Sequence, residues 1–166
     1  MYLDAMEFLE EEREAWRPFE ALSELEDAEL ERQSEGTHGW SGRDLMGHLV
    51  GWQEVALQIA KELAVGETSA SAARVDADWD ARGEVVINAE MQAAWAELPL
   101  DDVRRRFSSV AGEVRGYLTV VPEARWIKNP KNMESIAECT VDHYQDHLAD
   151  LEAILSPASP SPAPDT

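Results

Sequence analysis

Helical spacing of apolar residues is the feature of this sequence that most constrains its fold. In four long segments, apolar side chains recur every three or four residues, and no segment shows the two-residue alternation of a strand. Pro18 predicts a kink or a break in the first segment, Gly66 ends the second, Pro99 interrupts the third and Pro122 closes it. The spacing predicts helices over about residues 3–33, 41–64, 84–118 and 132–155.

Two polar stretches, residues 66–83 and 123–132, separate these segments and are predicted to be irregular connections. The simplest architecture is an all-α, antiparallel four-helix bundle with long connections, forming one domain over residues 1–155. The last residues, 156–166, read "SPASPSPAPDT" and are rich in Pro and Ser. Such a composition cannot bury a core, so we predict a disordered tail.

Net charge limits the partners of this chain. It carries 34 Asp and Glu residues against 14 Lys and Arg residues, which gives a formal charge of −20. This charge repels phosphate backbones and anionic membrane surfaces, so we expect no nucleic-acid or membrane partner. Small molecules and cations remain compatible with it. The N-terminal residues carry carboxylates where a signal peptide would be positive, and no stretch reaches the roughly 18 apolar residues of a membrane span, which favours a cytoplasmic protein.

Cys139 is the single cysteine, which excludes an intramolecular disulfide and a Cys-rich zinc site. It lies one turn before His143, where a thiolate could support or replace a metal ligand. One ion rarely spans three successive turns, however, because eight residues of helix cover about 12 Å. A buried thiol that behaves as a small apolar side chain is therefore the preferred interpretation.

His48 is the one histidine in a stretch that otherwise resembles a core helix, "GWSGRDLMGHLVGW" at residues 39–52. Ser41 is predicted to be the N-cap and Asp44 its capping-box partner. At 100° per residue, His48 falls within the apolar face of this helix, so its imidazole is predicted to point into the bundle. Taken alone, such a histidine is more often a core residue with one hydrogen-bond partner than a metal ligand.

His143 and His147 are four residues apart in the last predicted helix and should stack on one face. Imidazoles at this spacing can converge on one ion, although an isolated pair is more often two half-exposed polar residues. If the second and fourth helices are neighbours, His48 completes a set of three. Three neutral imidazoles with an open fourth position are typical of a catalytic zinc site, and imidazole also suits nickel, iron or copper.

Carboxylates next to these histidines have a solvated and a supporting interpretation. Asp142, Asp146 and Asp150 form an acidic stripe that is expected to face mostly solvent. One of them could instead orient an imidazole, which is a usual role of a carboxylate beside a metal site, and Glu54 is a comparable candidate.

Aromatic and polar residues elsewhere in the sequence also have preferred interpretations. Trp52 is predicted to pack at the metal end of the bundle, and Asn88 to line a pocket or to hydrogen-bond across helices. His38 lies in a loop next to glycine and is expected to be exposed and not a ligand. Surface ion pairs, rather than an anion-binding site, are the preferred interpretation of the one dense basic cluster, Arg104, Arg105 and Arg106.

The sequence resembles the DinB/YfiT-like superfamily of four-helix bundles through two motifs. The first is Trp40 followed by "SGRDLMGHLVGW", and the second is "DHYQDHLADLE" in the last helix. The resemblance extends over about residues 1–155. It implies a pocket at one end of the bundle in which His48, His143 and His147 bind a divalent metal ion, with zinc or nickel expected.

The activities within this superfamily imply a class of function. Its members include S-transferases that use bacillithiol and maleylpyruvate isomerases that use mycothiol, and others resemble the colibactin self-resistance protein, a cyclopropane hydrolase. The resemblance implies a metal-dependent hydrolase or thiol S-transferase that acts on a small electrophilic molecule in detoxification. The reacting group would be a water activated by the metal or an external low-molecular-weight thiol.

Two other interpretations of the histidines are compatible with the sequence. The protein could be a non-catalytic metal- or ligand-binding bundle, or the histidines could only satisfy one another in the core. Members of the superfamily often form homodimers, and nothing in this sequence requires one.

Overall fold

Helices make up most of the computed structural model, which describes residues 2–37 and 39–156. These residues contain an isolated β-bridge between Gln33 and Ser41 and no strand, so the all-α prediction is confirmed. The prediction for His38 and most of the predicted tail lie outside the described residues. The α-helices are α1 (Ala5–Trp16), α2 (Asp27–Leu30), α3 (Gly42–Val65), α4 (Ala70–Arg82), α5 (Glu84–Ala96), α6 (Leu100–Leu118), α7 (Pro130–Glu138), α8 (Val141–Asp146) and α9 (Leu148–Leu155).

Helix α3 begins and ends where the sequence predicts. The Asp44 N–H donates to Ser41 Oγ at 3.2 Å, and the Ser41 N–H donates to the Asp44 carboxylate at 2.9 Å, which completes the capping box. At the other end, the Gly66 N–H donates to the carbonyl of Glu62 at 2.9 Å. Between these caps, α3 buries most of its length and packs most extensively against α6.

The core is shared by α1, α3, α6 and the α7–α9 region, as in a four-helix bundle. Trp16 of α1 joins the layers, because its ring lies 4.9 Å from the Phe107 ring of α6 and 5.1 Å from the Tyr144 ring of α8, centroid to centroid. Aromatic contacts of this kind add about 0.5–1.5 kcal/mol each to the gain from burial. None of the helices in the described part of the chain is long and apolar enough to cross a lipid bilayer.

Proline positions agree with the predicted breaks. Helix α1 ends at Trp16, and a 3-10 helix, Arg17–Glu24, carries Pro18 at its start, where a missing N–H costs little. Pro99 separates α5 from α6, and Pro122 follows the end of α6.

Helix α4 corrects the prediction of an irregular connection over residues 66–83. Ser69 caps the helix by accepting from the Ala72 N–H at 3.0 Å, and the Glu62 carboxylate accepts from the Ser69 hydroxyl at 2.6 Å and from the Ser71 N–H at 3.0 Å. Burial raises the pKa of Glu62, but these hydrogen bonds outweigh it and hold the pKa at about 2. The apolar stripe of α4 is narrow and lies among charged residues, which hid it in the sequence.

The prediction of a single last helix over residues 132–155 is also wrong, because three helices occupy this region. Helix α7 starts earlier, at Pro130, within the stretch predicted to be irregular, and Asn129 caps it. The chain then breaks at Cys139 and Thr140, where the Thr140 hydroxyl donates to the Ile136 carbonyl at 2.7 Å. A side-chain bond of this kind competes with the helical backbone pattern. A second break at His147 separates α8 from α9.

Candidate metal centre

Three imidazoles converge between α3 and the α8–α9 junction. His48 lies on α3 and is 2% exposed, His143 lies on α8, and His147 stands at the break between α8 and α9. One ring nitrogen from each lies within 4.8 Å of the others, and the ring centroids are 4.6–4.8 Å apart. Within the part of the chain that the structure describes, no other group of His, Cys, Asp or Glu converges closely enough to hold an ion.

Buried ring nitrogens in this cluster lack hydrogen-bond partners. Neither His48 Nδ1 nor His143 Nε2 has one among the described residues. Burial, reinforced by the neighbouring imidazoles, lowers the pKa of His48 to about 3 and that of His143 to about 2. Both rings are therefore neutral at neutral pH, which is the form that binds a metal ion. Unpartnered buried polar atoms are costly, and an ion at this position would satisfy them.

Asp150 supports His147 from one turn away on α9. His147 Nδ1 lies 2.7 Å from the Asp150 carboxylate, so a carboxylate fixes the orientation of this ring. Metal-binding histidines usually have such a partner on the ring nitrogen that does not face the metal. Of the three aspartates in the acidic stripe, Asp150 makes this contact.

Two tryptophans pack against the imidazoles. Trp40 stacks on His147 with ring centroids 5.8 Å apart, and its centroid is 4.9 Å from that of His48. Trp52 lies 5.9 Å from His143, ring centroid to ring centroid. Trp40 was not among the site residues predicted from the sequence. The signal that could have identified it is its position just before the N-cap of α3.

A cavity of about 620 Å³ adjoins His143 and is bounded by α3, α4, α5, α7 and α8. Trp52, Asn88, Cys139 and Asp142 all line it, and Asn88 also accepts a hydrogen bond from Trp52 Nε1 at 3.1 Å. Asn88 of α5 therefore lines the cavity and also forms a hydrogen bond with α3. The remaining lining residues are Ile59, Ala72, Val75, Asp76, Trp79, Asp80, Glu84, Ser135, Glu138, His143 and Asp146.

Cys139 has the buried thiol that the sequence favoured. Its residue is 4% exposed, and burial, with the nearby Glu138 and Asp76 carboxylates, raises the pKa of the thiol to about 12. A protonated thiol is a poor nucleophile and a poor metal ligand. Cys139 therefore contributes a small apolar surface to the cavity wall.

The other predicted polar residues have separate places. Asp142 lines the cavity with an exposed side chain, and partial desolvation of its carboxyl, followed by the charges of Asp146 and Glu11, raises its pKa. Glu54 forms an ion pair with Arg106 and does not contact the imidazoles. The basic cluster consists of ion pairs, as predicted, with Arg104 bound to Asp27, Arg105 to Asp102, and Arg106 to Glu54 and Glu113.

Sequence reasoning missed one whole wall of the cavity. Asp76, Trp79 and Asp80 lie on α4, which was expected to be an irregular connection, and Glu84 begins α5. The spacing of Ala72, Val75 and Trp79 is the signal that could have revealed this wall, because it is helical despite the charged residues between them.

Comparison with known families gives one finding. The family model described as the DinB superfamily matches residues 9–151 of the chain. The comparison with curated proteins gives no match. The comparison with solved structures gives none either.

Proposed function

Because the chain belongs to the DinB superfamily, we propose that it is a metal-dependent enzyme, a hydrolase or a thiol S-transferase, acting on a small electrophilic molecule. His48, His143 and His147 are the proposed ligands of a divalent ion, with zinc or nickel as the expected metal. The observation that carries the proposal is the convergence of these three rings, two of which have buried nitrogens without partners.

The residues around the proposed site suit such an ion. When bound, a divalent ion with an open coordination position supplies Lewis acidity, which makes a water or a thiol more acidic. Asp150 holds the His147 ring in one orientation, and Trp40 shields the His48 and His147 rings. His143 is the ligand that faces the cavity, so a substrate would approach from its side.

The nucleophile in this proposal comes from outside the chain. Cys139 is the one thiol of the sequence, and its raised pKa keeps it protonated at neutral pH. The cavity carboxylates are available to accept a proton from a water or a thiol that enters the site. Hydrolysis and thiol transfer therefore need the same protein groups and differ in what occupies the space beside His143.

Metal content tests the proposed ligands. Protein purified without a nickel column should contain about one divalent ion per chain by elemental analysis, and His48→Ala, His143→Ala and His147→Ala should each lose it. Glu152→Ala, which changes an exposed residue of α9 outside the cluster of three histidines, is the control and should keep it. A wild-type protein that binds no ion when offered zinc, nickel or manganese would overturn the metal site.

Turnover separates the two reactions. Model electrophiles are incubated with the metal-loaded protein, with and without an added thiol, and the His143→Ala variant provides the blank. Consumption that requires the thiol indicates a transferase, and consumption without it indicates a hydrolase. A protein that binds metal but consumes no electrophile under either condition would be a non-catalytic metal-binding bundle.

A further inference from the structure

We propose that the cavity beside His143 binds an organic cation, a small molecule with an ammonium group and an apolar body. The inference rests on the proposed function in one respect, since it takes this cavity as the place where the substrate enters. It concerns the walls of the cavity and not the ion, and it can be tested on metal-free protein.

Charge on the cavity walls has one sign. Six of the fifteen lining residues carry carboxylates, and none is Lys or Arg. They come from α4, α5, α7 and α8, so they surround the space and do not form a stripe on one helix. Clefts lined by a single sign of charge concentrate ligands of the opposite sign. The carboxylates are Asp76, Asp80, Glu84, Glu138, Asp142 and Asp146.

These carboxylates are poorly neutralised by the protein. Asp76 pairs with Lys131 at 3.1 Å, and the other five have no ion pair among the described residues. Burial and the neighbouring charges of Glu134, Asp76 and Asp142 raise the pKa of Glu138, which reflects this crowding. A bound cation would relieve the repulsion between them.

The arrangement suits an organic cation better than a second metal ion. The three histidines are the group of possible ligands that converges within the described residues, and the cavity carboxylates do not. They are spread around a cavity of about 620 Å³, a size typical of small-molecule sites. A molecule several atoms long can approach more than one of them, whereas a bare ion cannot.

Aromatic rings provide the second, independent indication. Trp52 and Trp79 both line the cavity and meet edge to face, with centroids 5.8 Å apart. The hydrogen bond to Asn88 fixes the Trp52 ring, while Trp79 remains 39% exposed. Tryptophan faces attract ammonium groups, and apolar side chains such as Ile59 and Val75 on the same walls suit an apolar body.

This charge also limits the thiol that a transferase reaction would use. A thiol that carries several carboxylates or a phosphate would be repelled from the cavity. A neutral thiol or an aminothiol would not. The cavity therefore favours a cationic electrophile, a cationic thiol, or both.

Binding of three matched probes tests the inference. The probes are 2-phenylethylammonium, 2-phenylethanol and phenylacetate, which share a phenyl ring and differ in charge. Calorimetric titration of the metal-free full chain should show the ammonium binding at least about tenfold more tightly than the alcohol, and no binding of phenylacetate. Because opposite charges attract less strongly in salt, added sodium chloride should weaken the binding of the ammonium probe.

Variants locate the binding in the cavity. Asp80→Asn and Glu138→Gln should each weaken the binding of the ammonium probe about two- to fivefold, as expected for partly exposed charge pairs. Trp79→Ala should weaken it by a similar factor. Asp101→Asn is the matched control, because it removes the same charge at a carboxylate that does not line the cavity, and it should have no effect. Thermal melting checks that each variant is folded.

Three outcomes would overturn the inference. These are equal binding of the alcohol and the ammonium, binding of phenylacetate, and an effect of Asp101→Asn as large as that of Asp80→Asn. Failure of the metal site is measured separately with His147→Ala, since His147 does not line the cavity. This variant should lose zinc and keep the ammonium, so the two proposals can fail independently.

Discussion

His147 Nδ1 and the Asp150 carboxylate lie 2.7 Å apart, and this contact joins the proposed metal site to α9. The two residues are three apart in the chain, with the imidazole at the N-cap of α9 and Asp150 in the first turn of that helix. A carboxylate in this position fixes which nitrogen of the ring carries the proton, and leaves the other for the metal.

Asp150→Asn should therefore weaken zinc binding about 10- to 100-fold, the usual effect of losing such a partner. Competition with a chromophoric chelator measures the affinity. Glu152→Gln, which changes another carboxylate on α9 and leaves the His147 contact intact, is the control and should bind zinc like the wild type. Equal affinities for Asp150→Asn and Glu152→Gln would contradict the orienting role.

The pKa values of His48 and His143 predict how the metal-free protein responds to acid. Both lie below the ordinary value of 6.5, so at pH values between the folded and the ordinary pKa these histidines bind a proton in the unfolded chain but not in the folded chain. Their contribution to stability is present above about pH 6.5 and is lost as the pH falls toward their folded values. The loss should be about 1 kcal/mol for each histidine between pH 7.5 and 5.5.

Urea unfolding at several pH values, in the presence of a chelator, measures this loss. His143→Ala should show a shallower dependence on pH, whatever its absolute stability. A free energy of unfolding that is constant, or that rises, as the pH falls through this range would contradict the burial of neutral imidazoles.

A buried carboxylate away from the metal site predicts a large loss of stability. Glu12 is fully buried, and its carboxylate accepts from Arg115 at 2.7 Å and from the Tyr144 hydroxyl at 3.0 Å. Arg115→Ala leaves this group without its charge partner, which should cost about 3–5 kcal/mol. Denaturant unfolding measures it, and Arg105→Ala, which breaks an exposed pair, should cost less than about 1 kcal/mol.

Substitution by alanine at two glycines should have opposite effects on the stability of the fold. A Cβ at Gly47 would lie 2.8 Å from the Cβ of Trp95, so Gly47→Ala must push α5 away from α3 and should destabilise the fold by about 1–3 kcal/mol. Gly116 on α6 has no atom within 4 Å of such a Cβ. Gly116→Ala should instead stabilise by about 0.5–1 kcal/mol through helix propensity. Thermal melting distinguishes the two signs.

Local signals made much of this structure predictable. The bounds of α3 follow from Ser41, Asp44 and Gly66, whose preferences depend on backbone groups only a few residues away. The inward direction of His48 followed from the apolar face of the same helix. These features needed no knowledge of the tertiary packing.

The features that the sequence did not reveal depend on distant partners. Helix α4 is held at its start by Glu62, a residue of the preceding helix, and no local pattern shows that contact. The break at Thr140 arises where the hydroxyl competes for the Ile136 carbonyl, although threonine also occurs inside helices. Because the residues of α4 were predicted to be irregular, Trp79 and Asp80 were not predicted to form one wall of the cavity.

The position of a bound ion tests the proposed site most directly. Crystals of zinc-loaded protein, measured at the zinc absorption edge, should give one anomalous peak with nitrogen atoms of His48, His143 and His147 each about 2.0–2.1 Å from it. A peak at Cys139, a peak among the cavity carboxylates, or a zinc ion held by fewer than all three imidazoles would contradict the proposed metal site.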